Sequence, residues 1–291
     1  MRDFARVNKE FTMSYKTILV HVDESTRASE RIKIASAIAM TENAHLIGTA
    51  MTGASRYLVQ TMMLADTNPN LRTHLDLLRA RAERGLDDFE NCVRRLGLPS
   101  FEKRLVDDEA GAGVCLQARY ADLVVIGQND PGEVSPVVMP DFPQYVVLNS
   151  GRPVLLVPYA GRFDNIGNHV LIAWDASMAA TRAVSGAIPL LRRAQVVEVV
   201  VFNPQLQPQA HGAMPGSDLA LYLARHGIKV EVSQQQTDLE IGDALLSQAA
   251  DMDIDLIIMG GYGHARFREI LLGGATRAVL ETMTVPVLMS H

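Results

Sequence analysis

Near the carboxyl end of the chain, Gly260, Gly263 and Gly273 fall in the spacing G-x2-G-x9-G, directly after the apolar run Leu256–Met259. Glycine carries no Cβ, so backbone N–H groups in such a turn can close on an anion, and a helix that starts there adds unpaired donors and a favourable dipole. A helical pattern does start there: Gly274, Ala275 and Thr276 lead into Ala278, Val279 and Leu280. The combination is a candidate phosphate cradle, with backbone donors at Gly274, Ala275 and Thr276 and a hydroxyl on Thr276. Arg266, Arg268 and Arg277 are near enough in sequence to add charge-assisted contacts, although loop arginines are more often solvated. The competing reading is a glycine turn kept only because the strand–helix junction is tight. A second chemical group is Asp175, at the end of the apolar stretch His169–Trp174 and two residues before Ser177. It can face a ligand as a hydrogen-bond acceptor, or cap the helix that follows, with Ser177 as the alternative cap.

The elements that must position these groups occur twice. Thr17–Ser25 (TILVHVDES) aligns with His169–Ser177 (HVLIAWDAS) at an offset of 152 residues, and both stretches end in Asp-x-Ser. Asp122–Gly127 aligns with Asp255–Gly260, and Arg152–Pro158 with Val285–His291, each at an offset of 133. Three matched blocks in one order indicate a tandem duplication. Within each copy apolar runs alternate with helical patterns, which predicts βαβ units and a parallel sheet covered on both faces. The second copy is predicted to have strands near 169–174, 196–202, 228–233, 255–259 and 285–289, with helices near 178–193, 216–226, 241–252 and 275–282. First-copy strands are predicted near 16–22, 44–50, 101–106, 122–126 and 153–157. Residues 53–97 form a longer insertion whose charges read as a solvated helix face. The expected division is a flexible leader over 1–13, a first domain over 14–159, a linker over 160–168 and a second domain over 169–291. In doubly wound sheets ligands bind outside the carboxyl ends of strands, where Asp23 and Asp175 both fall.

Composition narrows the function classes. With 291 residues, 48% apolar and 21% charged, the chain has ample material for a core. A net charge of −6 and the lack of a basic stripe argue against nucleic-acid binding. Cys92 and Cys115 form no metal-type spacing and read as buried thiols in a reducing compartment. No apolar run approaches a membrane span and the first residues are not a secretory signal, so the cytoplasm is the expected location and no membrane partner is expected. No nucleophile elbow, Walker lysine or HExxH pair is present, so no catalytic residue and no protein-held metal are assigned. The eight histidines are scattered; His264 lies beside the glycine motif.

The motif Gly260, Gly263, Gly273 resembles the C-terminal signature of the universal stress protein family, whose nucleotide-binding members carry G-x2-G-x9-G-[ST]. Gly274 stands where the family has Ser or Thr. The resemblance covers nearly the whole chain, once per copy. It implies a fold of two tandem doubly wound, mainly parallel five-stranded open sheets, Rossmann-like in architecture, with ATP or another adenine nucleotide across the strand ends. By this resemblance Asp175 is the adenine-contacting carboxylate. Trp174 and Phe202, which close apolar strands, are candidates to line the adenine pocket, with core packing as the other reading for both and the favoured one for Trp174. Ala173 and Met259, at neighbouring strand ends, complete the expected lining. Magnesium would accompany ATP through its phosphates, and no rapid turnover is expected. In the first copy Gly127 is followed by Gln128 and a passage with Pro136, Pro140 and Pro143, which lack N–H donors. That site is expected to be degenerate. The alternative reading of the whole chain is a protein-interaction or small-metabolite module of the same fold.

Assembly is predicted from the last strand of each copy. An apolar edge strand invites pairing, and duplication supplies a partner at high effective concentration. Val154–Val157 and Val285–Met289 are therefore expected to join the copies as a pseudo-two-fold pair inside one chain. Further pairing into a homodimer is expected through surfaces the sequence does not identify.

Overall fold

The computed structural model describes residues 14–57, 60, 69–133, 135, 137–206, 214–262 and 274–291. The leader expected over 1–13 lies outside the described residues. The strands of the first copy are β1 (Thr17–His21), β2 (His45–Met51), β3 (Phe101–Val106), β4 (Leu123–Gly127) and β5 (Val154–Val157). Those of the second are β6 (His169–Ala173), β7 (Val196–Phe202), β8 (Glu231–Gln235), β9 (Leu256–Gly260) and β10 (Val287–Ser290). All ten lie in one sheet in the order β3-β2-β1-β4-β5-β10-β9-β6-β7-β8.

Every pairing within a copy is parallel, and the single antiparallel junction is β5 against β10. There Leu155 faces Leu288, with Leu156 opposite Val287 and Val154 opposite Met289. Leu155 and Leu288 are equivalent in the duplication, so the pseudo-two-fold axis passes through that pair, as the last-strand argument predicted. Val154, Leu155, Leu156, Val287, Leu288 and Met289 are all 0% exposed. Burying each such side chain contributes about 2 kcal/mol, which makes the junction a core rather than a contact between surfaces.

Helices cover both faces, as central parallel strands that are apolar on both sides require. On one face lie α1 (Ala28–Glu42), α2 (Pro69–Leu96), α5 (Met178–Leu191) and α6 (Ser217–Arg225). On the other lie α3 (Ala110–Ala118), α4 (Phe142–Asn149), α7 (Ile241–Asp251) and α8 (Gly274–Thr282). The linker is tied down at both ends: Glu30 accepts from Phe163 N–H at 3.1 Å, and Asp255 accepts from Gly167, Asn168 and His169 N–H. Asp122 does the same for Lys16 and Thr17 in the first copy. The aspartates that open β4 and β9 thus anchor the start of the neighbouring first strand.

Two strands start later than predicted. β8 begins at Glu231 rather than 228, because Gly227 (φ +77°) ends the helix before it and Ile228, 2% exposed, is spent plugging the core. β10 begins at Val287 rather than 285, since Pro286 has no N–H for a ladder and only its carbonyl is used, by Ile257 N–H.

Candidate functional site

In the second copy, β6 delivers Ala173 beside Met259 of β9 and Val200 of β7, so these strand ends form a continuous floor. Met259 is buried and Ala173 half-buried. Phe202 closes β7, half-buried against the core cluster beneath α7 and α8. Trp174 packs against the opposite cluster, in line with its core-packing reading. Asp175 is half-buried, and its Oδ1 accepts from Ser177 N–H at 3.0 Å. The helix cap is Ser177: its hydroxyl accepts from Ala180 N–H at 3.1 Å. Among the described residues no side chain opposes Asp175 as a cation.

The glycine motif is reached from both sides but not spanned. Gly263 and Gly273 lie outside the described residues, as do His264, Arg266 and Arg268. Gly260 closes β9, and a Cβ there would stand 2.6 Å from Ala180 N, so the first turn of α5 lies directly on it. That favours the tight-junction reading for this glycine. A Cβ on Gly261 would stand 2.7 Å from Val147 Cγ1 of the first copy. Tyr262 adopts φ +58°; its N–H donates to Thr276 Oγ1 at 3.2 Å, and its buried hydroxyl, without a partner among the described residues, is pushed up to about 12 by burial. Thr276 is 4% exposed, so this bond between the end of β9 and the start of α8 is buried. Gly274, Ala275 and Thr276 open α8 as described, and their N–H groups have no intrahelical acceptor among the described residues. Arg277 is committed to Glu281 on the surface at 2.7 Å. Glu240 sets an acidic oxygen 3.5 Å from where a Gly274 Cβ would stand.

Two clefts open in the first copy. One, with about 650 Å³ of space open to solvent, runs between the carboxyl ends of β1, β4 and β5 and is walled by His21, Asp23, Arg31, Gln128, Phe142 and Tyr159. A second shares His21, Asp23 and Ser25 and reaches beneath α2 at Leu78 and Ala82. Asp23 has the predicted geometry but a different environment. Its Oδ1 accepts from Ser25 N–H, Ser25 Oγ and Arg31 Nη2, the last at 2.8 Å. Burial pushes its carboxyl up, but the Arg31 guanidinium, His21 and Ser25 outweigh that and hold it well below the usual carboxylate range. His21 is 2% exposed, its ring tilted against Phe142 at 4.8 Å between centroids, with Nδ1 3.5 Å from Asp23 Oδ2 and without a hydrogen bond among the described residues. Burial pulls it down to about 4, so it is neutral at pH 7. Gln128 fixes the junction to the second copy: its Nε2 donates to Leu280 O of α8 at 3.0 Å, and its Oε1 accepts from Tyr159 N–H.

Sequence reasoning passed over His21, Arg31 and Gln128. A signal for Arg31 was present: it shares the stripe of Ala35, Ile38 and Glu42 on α1, a face that is otherwise apolar. Both charged members of that stripe are buried, and both are paired, Arg31 with Asp23 and Glu42 with Arg193 of the second copy. Pro143 stands in the first turn of α4, the position that Thr276 holds in α8, and has no N–H to offer there. Among the described residues no group of three or more His, Cys, Asp or Glu side chains could hold a metal ion, and no helix is long and apolar enough to cross a membrane.

Known proteins match this arrangement. The universal stress protein family model matches residues 14–158 and again 168–291. A universal stress protein of Synechocystis sp. is 25% identical over 253 residues, spanning 85% of this chain and 83% of that protein. Among solved structures, a universal stress protein from Archaeoglobus fulgidus DSM 4304 superposes with a TM-score of 0.71 at 15% identity, covering 94% of this chain and 97% of its own. A functionally unknown protein from Pseudomonas aeruginosa PAO1 gives 0.60 at 16% identity, covering 94% and 92%. The two structural matches speak to the fold.

Proposed function

The chain belongs to the universal stress protein family, and from that premise we propose that it binds an adenine nucleotide in its second copy as a regulatory ligand, without rapid turnover. The observation that carries this reading is the state of Asp175. It stands at the carboxyl end of β6 with one oxygen steadying Ser177 N–H and, among the described residues, no cation against it. A carboxylate so placed can accept from the amino group of adenine. Ala173, Met259 and Phe202 supply an apolar wall, and the first-turn amides of Gly274, Ala275 and Thr276 face the phosphates with the glycines at 260, 263 and 273. Magnesium enters on the phosphates of ATP.

The test is a thermal-shift and calorimetric series with ATP, ADP and AMP. A ligand at a hundred times its Kd stabilises by about 2.7 kcal/mol, so a flat response at millimolar nucleotide overturns the proposal. Gly263→Val should abolish the response while leaving the fold intact. A second reading, a small-metabolite module, is favoured by Glu240, whose carboxylate beside Gly274 repels phosphate. Adenosine separates the two: equal or tighter binding of adenosine than of ATP would assign the crevice to uncharged ligands.

A further inference from the structure

We propose that Arg31 is the resident occupant of the first crevice: its guanidinium takes the hydrogen-bonding positions that the second crevice leaves for a ligand. The residue at this helix position, Arg31 in one copy and Ala183 in the other, thereby decides which copy accepts one. The inference rests on the second crevice being the ligand-accepting one.

Three contacts carry it. Arg31 Nε donates to His21 O at 2.7 Å, the carbonyl that ends β1. Nη2 donates to Asp23 Oδ1 at 2.8 Å, the carboxylate after that strand. Nη1 lies 2.5 Å from where a Cβ on Gly127 would stand, against the glycine that ends β4. The equivalents in the second copy are Ala173, Asp175 and Gly260, three of the groups assigned to the nucleotide. No described side chain reaches Asp175 from α5, whose residue at the Arg31 position is Ala183, 0% exposed. A guanidinium and the exocyclic amine of adenine both bring in-plane N–H donors to the same carboxylate, so one excludes the other. Arg31 is 4% exposed, which makes its departure for a passing ligand costly: both members of a buried ion pair would be left unpaired.

The ligand class that a vacated first crevice would take follows from the same geometry. It must present N–H donors to Asp23 and His21 O and an aromatic face to Phe142. It must carry no phosphate, because Gln128 and the following prolines replace the glycine cradle. Adenosine meets these conditions and ATP does not. In the second copy α5 lies directly on Gly260 with no side chain between, so collapse of α1 onto Gly127 is the rival outcome.

The test is Arg31→Ala in the full chain, titrated calorimetrically with adenosine while the fluorescence of Trp174, the single tryptophan and the neighbour of Asp175, reports the second crevice. The expected result is an additional adenosine site in the variant, silent to Trp174, and a rise in melting temperature with millimolar methylguanidinium that the wild type does not show. A folded Arg31→Ala protein with unchanged stoichiometry and no methylguanidinium response overturns the proposal. Absence of any Trp174 response in the wild type would sink the nucleotide reading instead, with the added site still countable in the variant. Should the variant not fold, NMR of the wild-type Arg31 Nε–H decides. A protected resonance unmoved by saturating adenosine supports the resident guanidinium, and its loss or displacement overturns it.

Discussion

The two copies present one backbone plan with opposite electrostatic solutions at the same strand ends. In the first, His21, Asp23 and Arg31 close a buried network in which the carboxylate is satisfied from inside the protein. In the second, with Ala173 and Ala183 at the equivalent positions, the Asp175 carboxylate has a single backbone donor among the described residues. The helices respond accordingly. α5 begins at a hydroxyl cap and rests on Gly260, whereas α1 begins at Arg27 without a side-chain cap and is held off Gly127 by an arginine. The same strand-end carboxylate is thus met by an arginine of its own copy in one half and, among the described residues, by no cation in the other.

The largest effect should come from removing the aspartates. Asp23→Ala strands a buried guanidinium and should cost about 4 kcal/mol in denaturant unfolding. Asp175→Ala should cost under about 1 kcal/mol while weakening nucleotide binding at least tenfold. Equal losses of stability would erase the distinction between the copies.

A pH titration sharpens the same contrast. His21 titrates near 4 in the folded chain against an ordinary 6.5, so the unfolded chain binds more protons between those values. Its contribution is complete above pH 6.5 and is lost as pH falls toward 4, about 3 kcal/mol in all. Asp23, also depressed, adds its own loss only below the usual carboxylate range. The variant His21→Ala, which installs the residue of the second copy, should flatten the slope between pH 6.5 and 4; a slope unchanged in that variant would refute the assignment.

Glycine substitutions come next. Gly260→Ala must displace the α5 backbone at Ala180 and should cost about 2 kcal/mol. Gly127→Ala meets only the tip of Arg31, which has a cleft to move into, and should cost less. The reverse order would mean that Gly260 serves the ligand alone. The smallest effect is at the caps: Ser177→Ala should lose about 1 kcal/mol, and Arg27→Ala nothing measurable by the same thermal unfolding.

The repeat, the parallel strands and the strand-end aspartates were legible in the chain because they depend on local pattern. Apolar runs such as Val196–Phe202 and Leu256–Met259 admit one environment, a sheet covered on both faces, and Asp23 and Asp175 follow such runs at fixed spacing. The last-strand pairing was legible too, since an apolar edge has to be covered. Whether Asp175 or Ser177 capped α5 was not, because either residue type can cap a helix and only the loop path sets Asp175 on Ser177 N–H and leaves Ala180 N–H to the hydroxyl.

By itself the sequence determined the duplication, the order of elements and the pair of aspartates that mark the crevices, all encoded over spans of a few residues. Only the tertiary structure decided what each aspartate meets. Arg31 is eight residues from Asp23 in the chain, yet its neutralising role exists only because α1 folds back over β1 and β4 and buries both charges together. A charge that would be solvated on an isolated helix becomes, under that packing, the partner its copy cannot do without.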